Sequence, residues 1–202
     1  MNIFVLCTGR CGSRSFVQAC KHITNYSAGH ETRVRLVGAD KFAYPANHIE
    51  ADNRLSWHLG RLDDVYGDDA FYVHLHRDRT KVIASYAQRW APVGGMMPAY
   101  RNGILRAGTH SKLVIAEDFV ATVEANIASF LRNKSMTMSV ALEAVTDWFP
   151  IFWQRIGAQG DLEQALAEWS YLHNSRRERT GVRKFKQKLK GIQQILFEPP
   201  LA

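Results

Sequence analysis

Short apolar runs and helix-like spacings alternate along the first half of the chain. An apolar run over about 2–7 has the length of a strand, and the spacing from Ser13 to His22 predicts a helix. A second apolar run, from Ala70 to His76, predicts another strand, and a helix from Thr80 to Trp90 follows it. Strands that alternate with helices in this way are typical of an α/β fold built on a parallel sheet.

The rest of the chain is less regular and is predicted to be mostly helical. Val34–Val37 predicts a short strand, and the glycine- and proline-containing stretch from Pro92 to Gly108 predicts a loop or lid. Apolar residues at helical spacing predict four further helices, over Ser56–Val65, Glu117–Leu131, Met138–Ile156 and Leu162–Arg177. Without repeats or linkers, the expectation is one domain, residues 1–202, with a helical C-terminal half.

Length and composition narrow the class of protein. A chain of 202 residues, 46% of them hydrophobic, suffices for one globular core. No apolar run approaches the roughly 18 residues that cross a bilayer. The N-terminus lacks the regions of a signal peptide, so a cytoplasmic location is expected. Cys7, Cys11 and Cys20 are odd in number and lack a CxxC spacing, which favours buried or turn-lining thiols over a redox pair.

The net charge of +7 is concentrated in one segment. Residues 176–190 contain eight Lys or Arg and one Glu, which leaves 18 basic and 18 acidic residues in the rest of the chain. A neutral body argues against a broad nucleic-acid-binding face. The basic segment is either a solvated helix face or an arm that contacts an anionic partner or a nucleotide.

The segment from Thr8 to Ser15 connects the first predicted strand to the first predicted helix and reads TGRCGSRS. In such a turn, backbone N–H groups and the positive helix end point at one spot, which suits a phosphate or a sulfate. The Walker pattern G-x-x-x-x-G-K-[ST], started at Gly9, requires glycine and lysine where Arg14 and Ser15 stand. This mismatch weighs against a triphosphate loop and favours a shorter phosphate loop without a magnesium site.

A second candidate phosphate site follows the second predicted strand. Arg77 stands at the carboxyl end of that strand, and Ser85 lies eight residues later on the following helix. The carboxyl ends of parallel strands are where ligands of such sheets bind. A planar guanidinium and a small hydroxyl donor can converge there on one phosphate group.

Taken in this order, the two segments resemble those of sulfotransferases that use 3′-phosphoadenosine 5′-phosphosulfate, in particular the small bacterial-type members. Residues 10–15, RCGSRS, are similar to the family's 5′-phosphosulfate pattern (K/R)-x-G-(S/T)-(S/T/R). Arg77, Asp78, Val82 and Ser85 are similar to its 3′-phosphate pattern R-(D/N)-x-x-x-V-x-x-S. The resemblance covers residues 1–90 and extends to the segment 169–174.

The resemblance implies a three-layer P-loop-NTPase-like fold with a central parallel sheet, the phosphosulfate donor as co-substrate, and no metal. The residues that it assigns to donor binding are Thr8, Gly9, Arg10, Cys11, Gly12, Ser13, Arg14, Ser15, Arg77 and Ser85.

It also implies a division of catalytic roles. Arg10 would stabilise the charge that grows on the leaving phosphate. A general base is needed for an acceptor hydroxyl or amine, and Glu31 is the first candidate, with His30 the second. The acceptor would be a small molecule, a glycan or a lipid, and neither nucleic acid nor a transmembrane segment is expected.

Two other classes of function stay open on the sequence alone. One is a magnesium-dependent nucleotide kinase or NTPase with a non-standard P-loop. The other is a non-catalytic anion- or nucleotide-binding module whose basic segment, residues 176–190, docks on an anionic partner.

Overall fold

The computed structural model describes residues 1–90 and 95–170, which contain a five-stranded sheet whose neighbouring strands are all parallel. The strand order is β2-β3-β1-β4-β5. The strands are β1 (Ile3–Leu6), β2 (Ser27–His30), β3 (His48–Ala51), β4 (Phe71–His76) and β5 (Thr137–Ala141). The central strand β1 is buried along its whole length, as expected of a strand covered on both faces.

Helices connect the strands. The α-helices are α1 (Ser13–Cys20), α2 (Leu59–Tyr66), α3 (Arg79–Ala87), α4 (Met96–Ala99), α5 (Lys112–Leu131), α6 (Val145–Arg155) and α7 (Leu162–Ala167). Short 3-10 turns cover Gly38–Phe42, Asn53–Trp57, Leu142–Ala144 and Glu168–Ser170, and a π-helix covers Tyr100–Leu105.

One face of the sheet is covered by α1, α6 and α7 through an aromatic cluster. Phe16 of α1 stacks on Trp148 at a centroid separation of 5.9 Å and meets Phe152 edge-on at 5.2 Å. Ile3 and Val5 of β1 belong to the same buried cluster. Burial of each large side chain stabilises the fold by roughly 1.5–3 kcal/mol, so this cluster fixes α1 and the turn before it against the sheet.

The opposite face carries a second aromatic group around Phe4. The ring of Phe4 lies 4.7 Å from that of Tyr66 and 5.4 Å from that of Tyr44. Tyr72, the neighbour of Phe4 across the ladder, meets Phe130 of α5 edge-on at 5.0 Å. Successive side chains of a strand point to opposite faces. Ile3 and Val5 therefore pack into the first cluster, and Phe4 packs into the second.

The chain divides into two compact units. The first contains residues 1–82 and 120–170 and holds the whole sheet. In the second unit, residues 83–90 and 95–119, Tyr100 lies edge-on to Phe119 at 5.2 Å and donates a hydrogen bond to Asp118. The prediction of a single domain over residues 1–202 stays a prediction.

The predicted fold class is confirmed, and several elements match. The strand over 2–7, the strand over 70–76, and the helices that begin near Ser13 and Thr80 all have counterparts. The strand predicted at Val34–Val37 is wrong, since these residues form an exposed turn in which Val37 is 82% exposed.

The helix predicted over Met138–Ile156 is also wrong in its first part. Residues Thr137–Ala141 form β5 at the edge of the sheet, and only Val145–Arg155 is helical. The predicted loop over 92–108 contains α4 and the π-helix from Met96 onward. Among the residues that the structure describes, no helix is both long and apolar enough to cross a membrane.

Candidate functional site

The turn between β1 and α1 has the backbone of an anion-binding loop. Gly9, Arg10 and Gly12 all have positive φ, at 80°, 64° and 89°. Left-handed residues in such a turn direct successive N–H groups into one concavity. Arg10 is the unusual member, because a non-glycine residue in this region is strained by about 1–3 kcal/mol. Asn47 and Arg106 share this conformation, so the strain at Arg10 points to a ligand site only together with the two glycines beside it.

The start of α1 leaves backbone donors available. Gly12 occupies the cap position and supplies no side-chain hydrogen bond, and no acidic residue lies in the first turn. The first N–H groups of a helix have no partner within the helix and favour an anion. The N–H groups of Ser13, Arg14 and Ser15 are in this position, directly after that of Gly12 at the cap. The N–H of Ser13 also lies within hydrogen-bonding reach of the Cys11 thiol.

Gly12 itself is required by space as well as by its backbone conformation. A Cβ atom at this position would lie 2.6 Å from Cδ1 of Leu142, which follows β5 directly. The loop therefore packs against the side chain that follows β5, and the φ of 89° at Gly12 is the stronger reason for glycine, because the Leu142 side chain can shift.

Arg77 reaches the loop from the end of β4. Its Nη1 donates to the carbonyl oxygen of Arg10 at 3.3 Å, and its Nε lies 3.9 Å from the Glu143 carboxylate. The two arginines singled out in the sequence are thus brought together at one edge of the sheet. Arg77 also holds the strained residue of the loop.

His30 meets the same loop from the other side. It ends β2, and its Nε2 lies 3.0 Å from Oγ of Ser13. Burial lowers the pKa of His30, and the nearby Arg14 lowers it further, against the opposing carboxylates of Glu31 and Glu50. The imidazole is therefore neutral at pH 7, which is the form that can accept a proton.

Glu31 follows with a positive φ of 54° and a paired side chain. Its Oε2 lies 3.2 Å from Nη1 of Arg54, and its N–H donates to the carbonyl oxygen of Ala51 at 3.1 Å. Both members of this ion pair are about one-third exposed. The turn after β2 is thus fastened to the end of β3, next to the phosphate loop.

A buried carboxylate that sequence reasoning did not single out holds this turn. Glu50 is fully buried and accepts hydrogen bonds from the N–H and the Oγ1 of Thr32, both at 2.7 Å, and its Oε2 lies 2.9 Å from Nε2 of His48. A Cβ atom on Gly29 would lie 2.8 Å from Oε2 of Glu50. The sequence carries no clear signal for this residue, because β3 reads HIEA and lacks the apolar run that predicts a strand.

Asp52, directly after β3, is a second carboxylate that sequence reasoning missed. It is 1% exposed, and its Oδ1 accepts a hydrogen bond from the N–H of Arg54 at 2.8 Å. Its Oδ2 has no hydrogen-bond partner within residues 1–90 and 95–170. Burial raises the pKa of Asp52 to about 6.

The two loop cysteines are buried thiols within hydrogen-bonding reach of each other. The hydrogen bond with Cys11 and then burial raise the pKa of Cys7, whereas the same hydrogen bond lowers the pKa of Cys11. Both are free thiols. They line the inside of the turn, which agrees with the prediction of buried or turn-lining thiols.

The remaining predicted residues fall in different places. Thr8 is buried and its Oγ1 donates to the carbonyl oxygen of Gly9 at 3.0 Å, Ser15 is half-buried, and Arg14 is exposed. Ser85 lies on α3 in the second unit, so its part in a phosphate site stays a prediction. The basic segment 176–190 and residues 171–174 lie outside the described residues.

No protein-family model matches the chain, and no curated protein matches it in sequence. A solved structure does match: a sulfotransferase domain from the curacin biosynthetic pathway, with a TM-score of 0.59 over 86% of this chain and 78% of that domain, at 14% sequence identity. The chain has the fold of a sulfotransferase. Identity this low establishes the architecture and leaves the reaction to be argued from the site.

The mouse sulfotransferase SULT7A1, solved in complex with PAP, matches more weakly. Its TM-score is 0.48 at 12% identity, over 88% of this chain and 61% of that chain. A TM-score this low adds no argument to the match with the curacin-pathway domain. For the part of the chain that the structure describes, no group of three or more His, Cys, Asp or Glu side chains is arranged to hold a metal ion.

Proposed function

We propose that this protein is a sulfotransferase that moves a sulfuryl group from 3′-phosphoadenosine 5′-phosphosulfate to an acceptor hydroxyl or amine. One observation supports this most strongly: the turn before α1 combines three left-handed residues with an uncapped helix start. We assign the anionic donor group to this turn, because its backbone N–H groups and the start of the helix favour an anion.

The reaction sets the roles of the loop residues. The acceptor oxygen forms a bond to sulfur while the bond between sulfur and the 5′-phosphate oxygen breaks, and the electron pair stays on that oxygen. As in phosphoryl transfer, the protein mainly positions the groups and stabilises the growing charge. Arg10 is assigned to that charge, and the N–H groups of Gly12, Ser13 and Arg14 are assigned to the 5′-phosphate.

The 3′-phosphate is assigned to Arg77 and Ser85. The contact between Arg77 and the carbonyl oxygen of Arg10 supports this assignment, because it holds a guanidinium fork beside the loop. The basic segment 176–190 is a further candidate for contact with the nucleotide. An acceptor proton would leave toward the β2–β3 side, where Nε2 of His30 lies 3.0 Å from Oγ of Ser13 and Glu31 follows His30 in the chain.

Calorimetry with adenosine 3′,5′-bisphosphate, the product nucleotide, tests the proposal. We expect micromolar binding in the absence of magnesium, weakened at least tenfold by Arg77→Ala and several-fold by Ser85→Ala. Arg79→Ala is the matched control, because Arg79 pairs with Glu124 on the helix surface at 3.3 Å and has no assigned role.

Absence of binding at millimolar nucleotide would refute the proposal. Magnesium-dependent ATP turnover would point instead to a kinase or NTPase, and ATP should therefore be titrated in parallel. Equal losses in Arg77→Ala and Arg79→Ala would show that net charge, and not the site, determines affinity.

A further inference from the structure

Asp52 stands at the carboxyl end of β3, one strand away from the phosphate loop. Val5 of β1 pairs with Ala51 of β3, so Asp52 leaves the sheet beside the residues that begin the loop. The hydroxyl of Ser56, one turn further on, donates to the carbonyl oxygen of Cys7 at 3.3 Å. The segment that carries Asp52 is thus fastened to the base of the loop.

Capping of the following turn accounts for the hydrogen bonding of only one of the two carboxylate oxygens of Asp52. Oδ1 caps the 3-10 turn Asn53–Trp57 by accepting from the N–H of Arg54, a task that Asn or Ser would perform equally well. Oδ2 is buried and has no hydrogen-bond partner in the described chain. An unsatisfied buried carboxylate oxygen is destabilising, so a hydrogen-bond donor that reaches Oδ2 would stabilise the site.

The other two candidate bases are already engaged. Nε2 of His30 lies at 3.0 Å from the hydroxyl of Ser13, and the carboxylate of Glu31 is paired with Arg54. The Glu31–Arg54 pair is one-third exposed on both sides, and pairs of this kind are weak. An acceptor that displaced Arg54 would also free Glu31, so Glu31 is the competing base that the test must distinguish from Asp52.

We propose that Oδ2 of Asp52 receives the hydrogen bond of the acceptor hydroxyl and takes its proton during sulfuryl transfer. This rests on the proposed function. The acceptor O–H bond breaks as the oxygen–sulfur bond forms, the proton passes to Oδ2, and adenosine 3′,5′-bisphosphate leaves with the electron pair of the broken sulfur–oxygen bond.

The surroundings suit this role. Burial is the main cause that raises the pKa of Asp52 to about 6, which leaves it ionised at pH 7 yet more basic than an ordinary carboxylate. The carboxylates of Glu31 and Glu50 also raise it, whereas the N–H and the charge of Arg54 lower it. Other titratable groups whose charges interact with Asp52 are Cys7 and Tyr44.

The test compares Asp52→Asn with Asp161→Asn. Asparagine keeps both caps, and Asp161 caps α7 at an exposed site by accepting from the N–H of Gln164 at 2.9 Å. The assay follows radiolabelled sulfuryl from the phosphosulfate donor to a phenol, an alkyl alcohol and water over pH 5–8. Nucleotide affinity is measured on the same samples.

We expect Asp52→Asn to slow transfer to every acceptor at least 100-fold, with nucleotide affinity unchanged within about threefold and the acid limb near pH 6 abolished. Asp161→Asn should match the parent protein. Retention of the rate and of the acid limb in Asp52→Asn would overturn the inference, as would loss of that limb in Glu31→Gln instead.

If the parent protein binds the nucleotide but shows no turnover, carbon NMR of its labelled aspartate carboxyls decides. With nucleotide bound, Asp52 should titrate near 6 and its signal should shift when phenol is added. Titration below 5, or no response to phenol, overturns the inference. Failure of the parent protein to bind the nucleotide refutes the proposed function itself, which is a separate result.

Discussion

The two halves of the sheet's carboxyl edge are held in different ways. On the β1–β4 side, the backbone determines the structure: left-handed residues shape the loop, and Arg77 donates a hydrogen bond to a main-chain carbonyl. On the β2–β3 side, buried side chains do it, since Glu50 fixes the turn after β2 and Asp52 fixes the start of the next helix. In the proposed reaction the donor is always the same and suits a loop of backbone N–H groups, whereas the acceptor would be bound by side chains in fixed positions.

The largest expected effect on stability is on the β2–β3 side, which buried side chains hold in place. Glu50→Ala leaves His48 and the Thr32 N–H without their buried partner, and we expect a loss of about 3–5 kcal/mol in urea unfolding. Glu168→Ala is the control, because it removes a second His–Glu contact, with His22 at 3.3 Å, that is one-quarter exposed. It should cost less than about 1 kcal/mol. Equal losses would contradict the account of the turn.

On the β1–β4 side, the structure should be most sensitive to substitution of Gly12. Gly12→Ala adds a left-handed strain and a clash with Leu142, and we expect a loss of about 2–4 kcal/mol together with loss of nucleotide binding. Gly60→Ala is the control, because Gly60 lies in α2 with open space around it and an ordinary φ. It should be neutral or slightly stabilising. Nucleotide binding unchanged in Gly12→Ala would show that the loop is not the site.

Much of the backbone half could be predicted from the sequence, and the reason is local. The apolar run of residues 3–6 is followed by Gly9 and Gly12 and then by apolar residues at helical spacing, so the strand, the turn and the helix are all encoded within residues 3–20. Arg77 likewise follows a strand, Phe71–His76, that is rich in apolar and aromatic residues.

The side-chain half could not be predicted in the same way. β2 reads SAGH and β3 reads HIEA, and neither has the apolar run that predicts a strand, because their polar side chains bond one another inside the fold. Only Leu142–Ala144 separates β5 from the next helix, with no glycine or proline between them, so the sequence gives no boundary between the strand and the helix. An aspartate ahead of a helix is ordinarily just a cap, and burial of Asp52 depends on packing between distant segments.

A smaller effect, with an unusual sign, is expected at Asp52. Its pKa in the folded protein is about 6 against an ordinary 3.8, so the folded state holds a proton that the unfolded state has released. Stability from this group is therefore present at low pH and is lost as the pH rises from about 4 to 6, by roughly 3 kcal/mol.

Asp52→Asn should remove this loss. Urea unfolding at pH 7.5 should show a gain of up to about 3 kcal/mol, and at pH 4 little or no gain. A gain at pH 7.5 together with lost transfer is the trade-off between stability and activity that active sites show. Destabilisation at pH 7.5 would mean that Oδ2 is satisfied in the folded protein.

The smallest effect is expected at the partly exposed ion pair between Glu31 and Arg54. Arg54→Gln should change the unfolding free energy by less than about 1 kcal/mol, because both partners of the Glu31–Arg54 pair are one-third exposed. A loss above 2 kcal/mol, measured by the same urea titration, would show that the pair is structural and that an acceptor cannot displace it cheaply.

A crystal structure of the complex with adenosine 3′,5′-bisphosphate tests the central claim most directly. The account predicts the 5′-phosphate about 3 Å from the N–H groups of Gly12, Ser13 and Arg14, with Arg10 beside it and Oδ2 of Asp52 on the side where the sulfuryl group would stand. A nucleotide bound elsewhere, with the turn before α1 making no contact to phosphate, would contradict it.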